Sequence, residues 1–185
     1  TNRFRPLRPP STDAVFSIDD DLIIPCDDMS LAFRVWEQNK ETMVGFSARM
    51  HSYDAAPGAW GYRSWWYTYW NGLYSLVLSK CAFVHRRYLE TFKELPVSLT
   101  EEVDRQRNCE DLLLSFVVAK GSGLPAIWVA GDAQDKGDGG ISAGTSHFDL
   151  RSSCIDRFAK HFGGMPLRLT NVKVVDARKQ WFWGR

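Results

Sequence analysis

Three consecutive aspartates, Asp19, Asp20 and Asp21, follow directly on the apolar run Ala14-Val15-Phe16-Ser17-Ile18. In an open α/β sheet, ligands bind in the crevice beyond the carboxyl ends of the strands, and acids that terminate a strand stand there. Carboxylate oxygens are hard donors suited to Mg²⁺ or Mn²⁺, which take one or two of them and complete their shell with water and phosphate oxygens. On an extended chain Asp19 and Asp21 face one side and Asp20 the other. A solvated acidic turn is the competing reading. A second acidic group, Asn108-Cys109-Glu110-Asp111, opens an apolar helical pattern. Free N–H groups and the helix dipole stabilise ionised carboxylates there, which serves simple capping as well as a site. Arg151 carries a planar fork suited to a phosphate, and is otherwise a surface cation.

Trp60, Tyr62, Trp65, Trp66, Tyr67, Tyr69 and Trp70 put seven aromatics in eleven residues. Such rings suit the apolar faces of a sugar or the packing of a hydrophobic loop on a sheet. His51, His85, His147 and His161 have no zinc spacing and are read as structural or exposed. The Gly-Asp-Gly-Gly stretch at 137–140 lacks the company of a phosphate-binding motif and is read as a loop. Cys26, Cys81, Cys109 and Cys154 are too far apart for a zinc or redox motif, so they are either buried thiols or include a bridged pair.

The elements that must position these residues alternate between two periodicities. The proline-rich opening at 1–13 predicts a loop, and 14–18 a strand. A helix capped by Asp27 or Asp28 carries Leu31, Ala32, Val35 and Trp36, and 43–46 is again extended. A strand near 74–79, a helix at 86–94 and a short acidic helix capped by Ser98 or Thr100 follow. The strongest helical pattern runs over about 109–121, with Cys109, Leu112, Leu113, Phe116 and Val117 on its apolar side. Residues 126–129 read as a strand, 131–147 as a Gly/Asp loop, 152–162 as a helix and 167–176 as an edge strand. Alternating strands and helices predict an α/β fold.

The chain has 185 residues, 44% of them apolar and 24% charged, enough for one domain with an ordinary core. A net charge of +1 leaves no general field for a nucleic acid or an anionic membrane, so neither is expected as a non-specific partner. The apolar runs at 74–84 and 112–119 fall short of the roughly 18 residues that span a bilayer.

Taken in order, TNRFRP, VFSIDDD, LAFRVWE, MVGF, WNGLYSLVLSKCAF, RNCEDLLLSF, RSSCIDRFAKHFGGMPL and a terminal WFW resemble the exostosin-like glycosyltransferases, glycosyltransferase family 64, over essentially the whole chain. AVFSIDDD, the Trp-rich segment, AIWV and VVDARKQWFW are most similar to the plant branch acting on glycosylinositol phosphorylceramides. The resemblance implies a GT-A fold and metal-dependent, retaining transfer from a nucleotide sugar. It implies Asp21 as metal ligand, Asp19 at the ribose or the ion's water shell, and Asp20 as the third member of the acidic motif at the nucleotide. It also implies Asp111 beside the reacting anomeric carbon and Arg151 at the donor diphosphate. Asn2 matches a nucleotide-contacting asparagine, and Arg5 or Arg8 a nucleotide-contacting arginine. Cys109 and Cys154 match a bridged pair, which implies an oxidising lumen.

The expected activity is transfer of mannose from GDP-mannose to a glycosylinositol phosphorylceramide, with Mn²⁺ or Mg²⁺, in the Golgi lumen. A UDP-N-acetylhexosaminyl transferase of the animal exostosin type is the rival enzyme. A carbohydrate- or calcium-binding module without turnover is the rival of another class. Leu112-Leu113-Leu114 and Ser47-Ala48 depart from the smaller Ile-Ala-Met and the Val-Pro frequent in relatives, so acceptor choice is not carried over. A GT-A enzyme places nucleotide-binding βα units before its acidic motif, and two such units need on the order of 60 residues. Only 18 precede Asp19. Residues 1–185 are therefore expected to be the C-terminal catalytic part of one GT-A-like domain, with the N-terminal βα units and a membrane anchor outside this segment.

Overall fold

Val15, Phe16 and Ile18 favour extended backbone, and Ala14–Ile18 forms β1 of the computed structural model, which describes residues 2–136 and 145–179. The Gly-Asp-Gly-Gly stretch and the terminal Trp-Phe-Trp lie outside the described residues. β1 pairs antiparallel along its whole length with β7 (Cys81–His85), Phe16 opposite Phe83. β7 pairs antiparallel with β3 (Val44–Gly45), and β3 runs parallel to β8 (Ile127–Val129), which runs parallel to β10 (Lys173–Val174). These five form one mixed sheet in the order β1-β7-β3-β8-β10. Gly45 is required where β3 meets β7, because a Cβ there would lie 2.6 Å from the Cys81 carbonyl oxygen.

A second sheet is antiparallel, in the order β5 (Ala59–Arg63), β4 (Ala48–Asp54), β6 (Leu76–Val77). The hairpin of β4 and β5 was not expected from the sequence. The strand expected at 74–79 is only the two residues of β6, and the chain turns at Ser79 and Lys80 before resuming as β7 inside the main sheet. A two-stranded ribbon joins β2 (Leu22–Ile23) to β9 (Gln134–Asp135).

Several helices differ from expectation in where they begin. α1 (Cys26–Gln38) starts after Pro25, whose fixed φ suits a helix entry. Asp28 is consequently inside the first turn rather than capping it, fully buried, where it accepts from the Asp132 N–H at 2.9 Å and pairs with Lys179 at 2.6 Å. α2 (Trp65–Asn71) makes the second half of the aromatic run a helix, an element not read from the sequence, closed by Gly72 in the left-handed conformation. α3 (Arg86–Lys93) and α4 (Val97–Gln106) follow, the latter entered through Pro96 rather than capped by Ser98 or Thr100.

In α5 (Glu110–Ser122) every residue from Leu112 to Ala119 is buried. The expected apolar side is thus an apolar girth, as in helices that cross the middle of a core. α5 lies in the larger core with Phe92, Leu76, Ile155 and Phe158, while Trp36, Val44, Phe83 and Val129 build a second cluster on the other side of the main sheet. α6 (Thr145–His161) begins earlier than the expected 152, so Arg151 lies within the helix instead of ahead of it. α6 also covers the edge of β5: the Trp60 and Tyr62 N–H groups donate to Asp156 at 3.3 Å and Ser152 at 3.0 Å. Cys109 and Cys154 form a disulfide with Cα atoms 6.4 Å apart, while Cys26 and Cys81 are free. No described helix is long and apolar enough to cross a membrane.

Candidate active site

The carboxyl end of β1, the turn from α4 to α5, the first turns of α5 and α6, and the Tyr62 end of β5 enclose a cleft of about 630 Å³. That volume is within the range of small-molecule sites. Asp19, Asp111 and Arg151 all line it. The strand's acidic terminus and the helix's acidic start, far apart in sequence, therefore face one space.

The three aspartates do not alternate across a strand, because β1 stops at Ile18 and the chain turns, the Leu22 N–H donating to the Asp19 carbonyl at 3.3 Å. Asp19 alone of the three lines the cleft; Asp20 and Asp21 are exposed on the turn. Its backbone is held by the Lys80 carbonyl at 2.9 Å, and its Oδ1 is ion-paired with Arg3. Arg3 in turn donates to Ser17 Oγ and the Ser79 carbonyl, each at 3.1 Å. Among the described residues no group of three His, Cys, Asp or Glu is placed to hold a metal unaided. Asp19 Oδ2 is a hard oxygen donor on the cleft wall of the kind Mg²⁺ or Mn²⁺ takes from protein when phosphates complete the shell, while the Asp21 carboxylate, of the same chemistry, stands on the exposed turn outside the lining.

Opposite them, Asp111 sits in the first turn of α5. Its Oδ1 accepts from the Leu112 N–H and its Oδ2 from Arg151 Nη2, both at 2.7 Å. Arg151 Nη1 donates to Asn108 Oδ1 at 3.1 Å, its guanidinium carbon lies 4.6 Å from the centroid of the Tyr62 ring, and its buried Nε has no partner among the described residues. Burial disfavours the charge on Arg151, but the Asp111 carboxylate and then the Tyr62 oxygen outweigh it, so its pKa is raised and it stays charged. His147, on the same wall, is driven toward the neutral form by burial and by the Arg151 charge.

Asn108 is flanked by two non-glycine residues in the left-handed conformation, Arg107 at φ 48° and Cys109 at φ 74°. Such positions are strained and persist where neighbours over-determine them. Here the disulfide holds Cys109 and the Asn108 side chain accepts the Cys109 N–H at 2.7 Å. The bridge ties the start of α5 to the second half of α6, and so the segment of Asp111 to that of Arg151.

The opening arginines divide differently from expectation. Arg5 points to α4, donating to Thr100 Oγ1 at 3.0 Å, and Arg8 is exposed; neither lines the cleft. Arg3 does, and it also lines an adjoining hollow of about 560 Å³ with Asn2, Arg107 and Glu110. Asn2 thus borders the site from that neighbouring hollow. Sequence reasoning passed over Arg3 and Lys80, and gave Asn108 only as part of an acidic helix start and Tyr62 only as one member of an aromatic run. Their contribution arises from the crossing of distant segments, and no spacing announces it.

Residues 1–181 match the family described as Glycosyl transferase family 64 domain. The chain is 46% identical over 187 residues to Glycosylinositol phosphorylceramide mannosyl transferase 1 of Arabidopsis thaliana, covering 98% of this chain and 56% of that protein. It is 38% identical over 181 residues to Exostosin-1 of Drosophila melanogaster and 38% over 175 residues to Exostosin-1 of Mus musculus, covering 94% and 90% of this chain and 23% of each relative. It spans about half the length of the plant relative and about a quarter of the exostosins.

Proposed function

Because the chain belongs to glycosyltransferase family 64, we propose that it is the catalytic part of a transferase that moves mannose from GDP-mannose to a glycosylinositol phosphorylceramide. The observation that carries this reading is the convergence of Asp19 with the Asp111–Arg151 pair on one cleft. The 46% identity to the plant mannosyl transferase favours that donor and acceptor over the UDP-sugar reaction of the exostosin type.

In this reading the bond between the anomeric carbon and the diphosphate breaks with its electron pair leaving on the nucleoside diphosphate. The acceptor hydroxyl supplies the new oxygen to the same carbon and passes its proton to the departing phosphate oxygen. Negative charge grows on the departing group, where Arg3, Lys80, Arg107 and Arg151 line the wall. Positive charge grows on the sugar ring, and Asp111 stabilises it. Arg151 and the Leu112 N–H hold both carboxylate oxygens in position, so the charge is already oriented when the reaction begins. Asp19 and Asp21 would hold a divalent ion whose chemistry is Lewis-acid support of the leaving diphosphate. Asn2 and Arg3 extend the site toward the nucleoside, and Tyr62 keeps the Arg151 plane in place. The Cys109–Cys154 bridge supports an oxidising compartment, in line with a Golgi lumenal location.

The test is calorimetric titration of GDP-mannose and of a UDP-N-acetylhexosamine with Mn²⁺ present, paired with a mannose-transfer assay. Binding of GDP-mannose with Mn²⁺-dependent transfer supports the reading. Preference for the UDP-sugar transfers the assignment to the exostosin-type reaction, and binding of glycan or Ca²⁺ with no nucleotide affinity makes the domain a non-catalytic module.

A further inference from the structure

α2 is an apolar helix left largely exposed. Only Thr68 is buried, while Trp65, Trp66, Tyr67, Tyr69 and Trp70 are between 42% and 75% exposed, and Leu73 just beyond is also exposed. At 3.6 residues per turn, Trp65, Tyr69, Trp66 and Trp70 fall in one contiguous sector, turned away from Thr68. The rings form a joined surface: Trp65 stacks on Trp66 with centroids 4.1 Å apart, and Trp66 lies nearly parallel to Trp70 at 6.3 Å. No charged residue occurs from Ser64 to Ser79.

The chemistry of this face is specific. Each of its exposed rings carries an N–H or O–H at its rim, and none is phenylalanine, although the chain has 11. Phe4, Phe83, Phe92, Phe116 and Phe158 are used in the core instead. Rings with an apolar body and a polar edge are those that settle at the boundary between hydrocarbon and water in membranes. The face also begins at the mouth of the site: Ser64 and Trp65 line the cleft, whereas the other α2 rings do not. A sugar bound in the cleft therefore reaches one of these rings and leaves the others unused.

We propose that α2 docks the protein on a lipid bilayer at the level of the headgroups, setting the cleft mouth against the membrane so that a lipid-linked acceptor enters from its own layer. The role given to the acceptor rests on the function proposed above; the binding of α2 to lipid does not. An uncharged aromatic face predicts association with zwitterionic lipid that changes little with salt, unlike a basic patch.

The experiment is sedimentation with phosphatidylcholine vesicles at 0.1 and 0.5 M salt, using the whole chain and its Trp66→Ser/Trp70→Ser variant, both changed positions lying outside the cleft lining. Circular dichroism and GDP-mannose titration run alongside as controls. The unmodified protein is expected to bind vesicles equally at both salt concentrations, with its tryptophan fluorescence quenched by brominated lipid. The variant is expected to lose at least tenfold in partitioning while keeping its fold and its donor affinity. Failure of the unmodified protein to bind vesicles overturns the proposal, as does undiminished binding by the variant. Release from vesicles by soluble headgroup glycan would make the face a sugar platform, and concentration-dependent self-association abolished in the variant would make it a protein contact. Vesicle binding without donor binding would leave the docking intact and count against the mannosyltransferase reading.

Discussion

Arg151 spends its two terminal nitrogens on different partners of the same turn: Nη2 holds Asp111 at 2.7 Å and Nη1 holds Asn108 at 3.1 Å. The side chains of the ion pair are 7% and 14% exposed. A carboxylate fixed in this way is oriented before any substrate arrives, and neither member can be changed without leaving the other short of a partner.

Asp111→Asn is accordingly expected to lower transfer by on the order of 10²–10³-fold. It should also lower stability by about 3–5 kcal/mol, because the Arg151 charge is left buried. The second change Arg151→Met should return much of the stability and none of the activity. Urea unfolding and transfer assays on the single and double variants check this; activity near the original level in Asp111→Asn would remove Asp111 from the reaction.

Asp19→Asn and Asp21→Ala are each expected to weaken donor binding in Mn²⁺ by at least about tenfold, the scale of losing one ligand or its support. With a chelator present, the variants and the original protein should bind donor alike. Calorimetry with and without the chelator distinguishes these outcomes, and an unchanged Mn²⁺ response in both Asp19→Asn and Asp21→Ala would dismiss them as ion ligands.

Reducing the Cys109–Cys154 bridge frees a loop of 45 positions, for which the chain-entropy estimate is about 4 kcal/mol. Since the bridge joins the start of α5 to α6, activity should be lost at lower denaturant than global structure. Chevron or equilibrium unfolding with and without reductant, read beside activity, tests both parts. Coincident loss of the two signals would show that the bridge supports the fold alone.

His51, on β4, is buried with its Nδ1 2.8 Å from Ser75 Oγ, and burial pushes its pKa down to about 4. The unfolded chain takes up this proton near pH 6.5, before the folded protein does. The stability contribution is therefore full above pH 6.5 and lost as pH falls toward 4, by about 3 kcal/mol over that window. His51→Gln should flatten this part of the pH–stability curve, as thermal melts between pH 4 and 7 would record; an unchanged slope assigns it to other groups.

Periodicity was legible wherever one segment decided its own state. Ala14–Ile18 is apolar and β-branched and became β1, and the apolar block from Leu112 became α5. The hairpin of β4 and β5 escaped notice because its edge N–H groups are satisfied by Ser152 and Asp156 of α6, about 90 residues away. β7 was hidden by its likeness to the preceding apolar run, since the break at Ser79 and Lys80 follows from how β6 and β7 join different sheets. In the site, Asp19, Asp111 and Arg151 stood out by residue type and position. Arg3 did not, because its value depends on a 3-10 turn at Asn2–Phe4 lying beside the end of β1.

The left-handed residues on either side of Asn108 bear on how this protein can change over generations. Glycine would relax either backbone position, yet at 109 it would delete the bridge and at 107 a cation of the cleft. Glycine therefore cannot relax the turn that aims Asp111 without taking away either the bridge or that cation. Adaptation to new substrates is left to the surfaces around that turn.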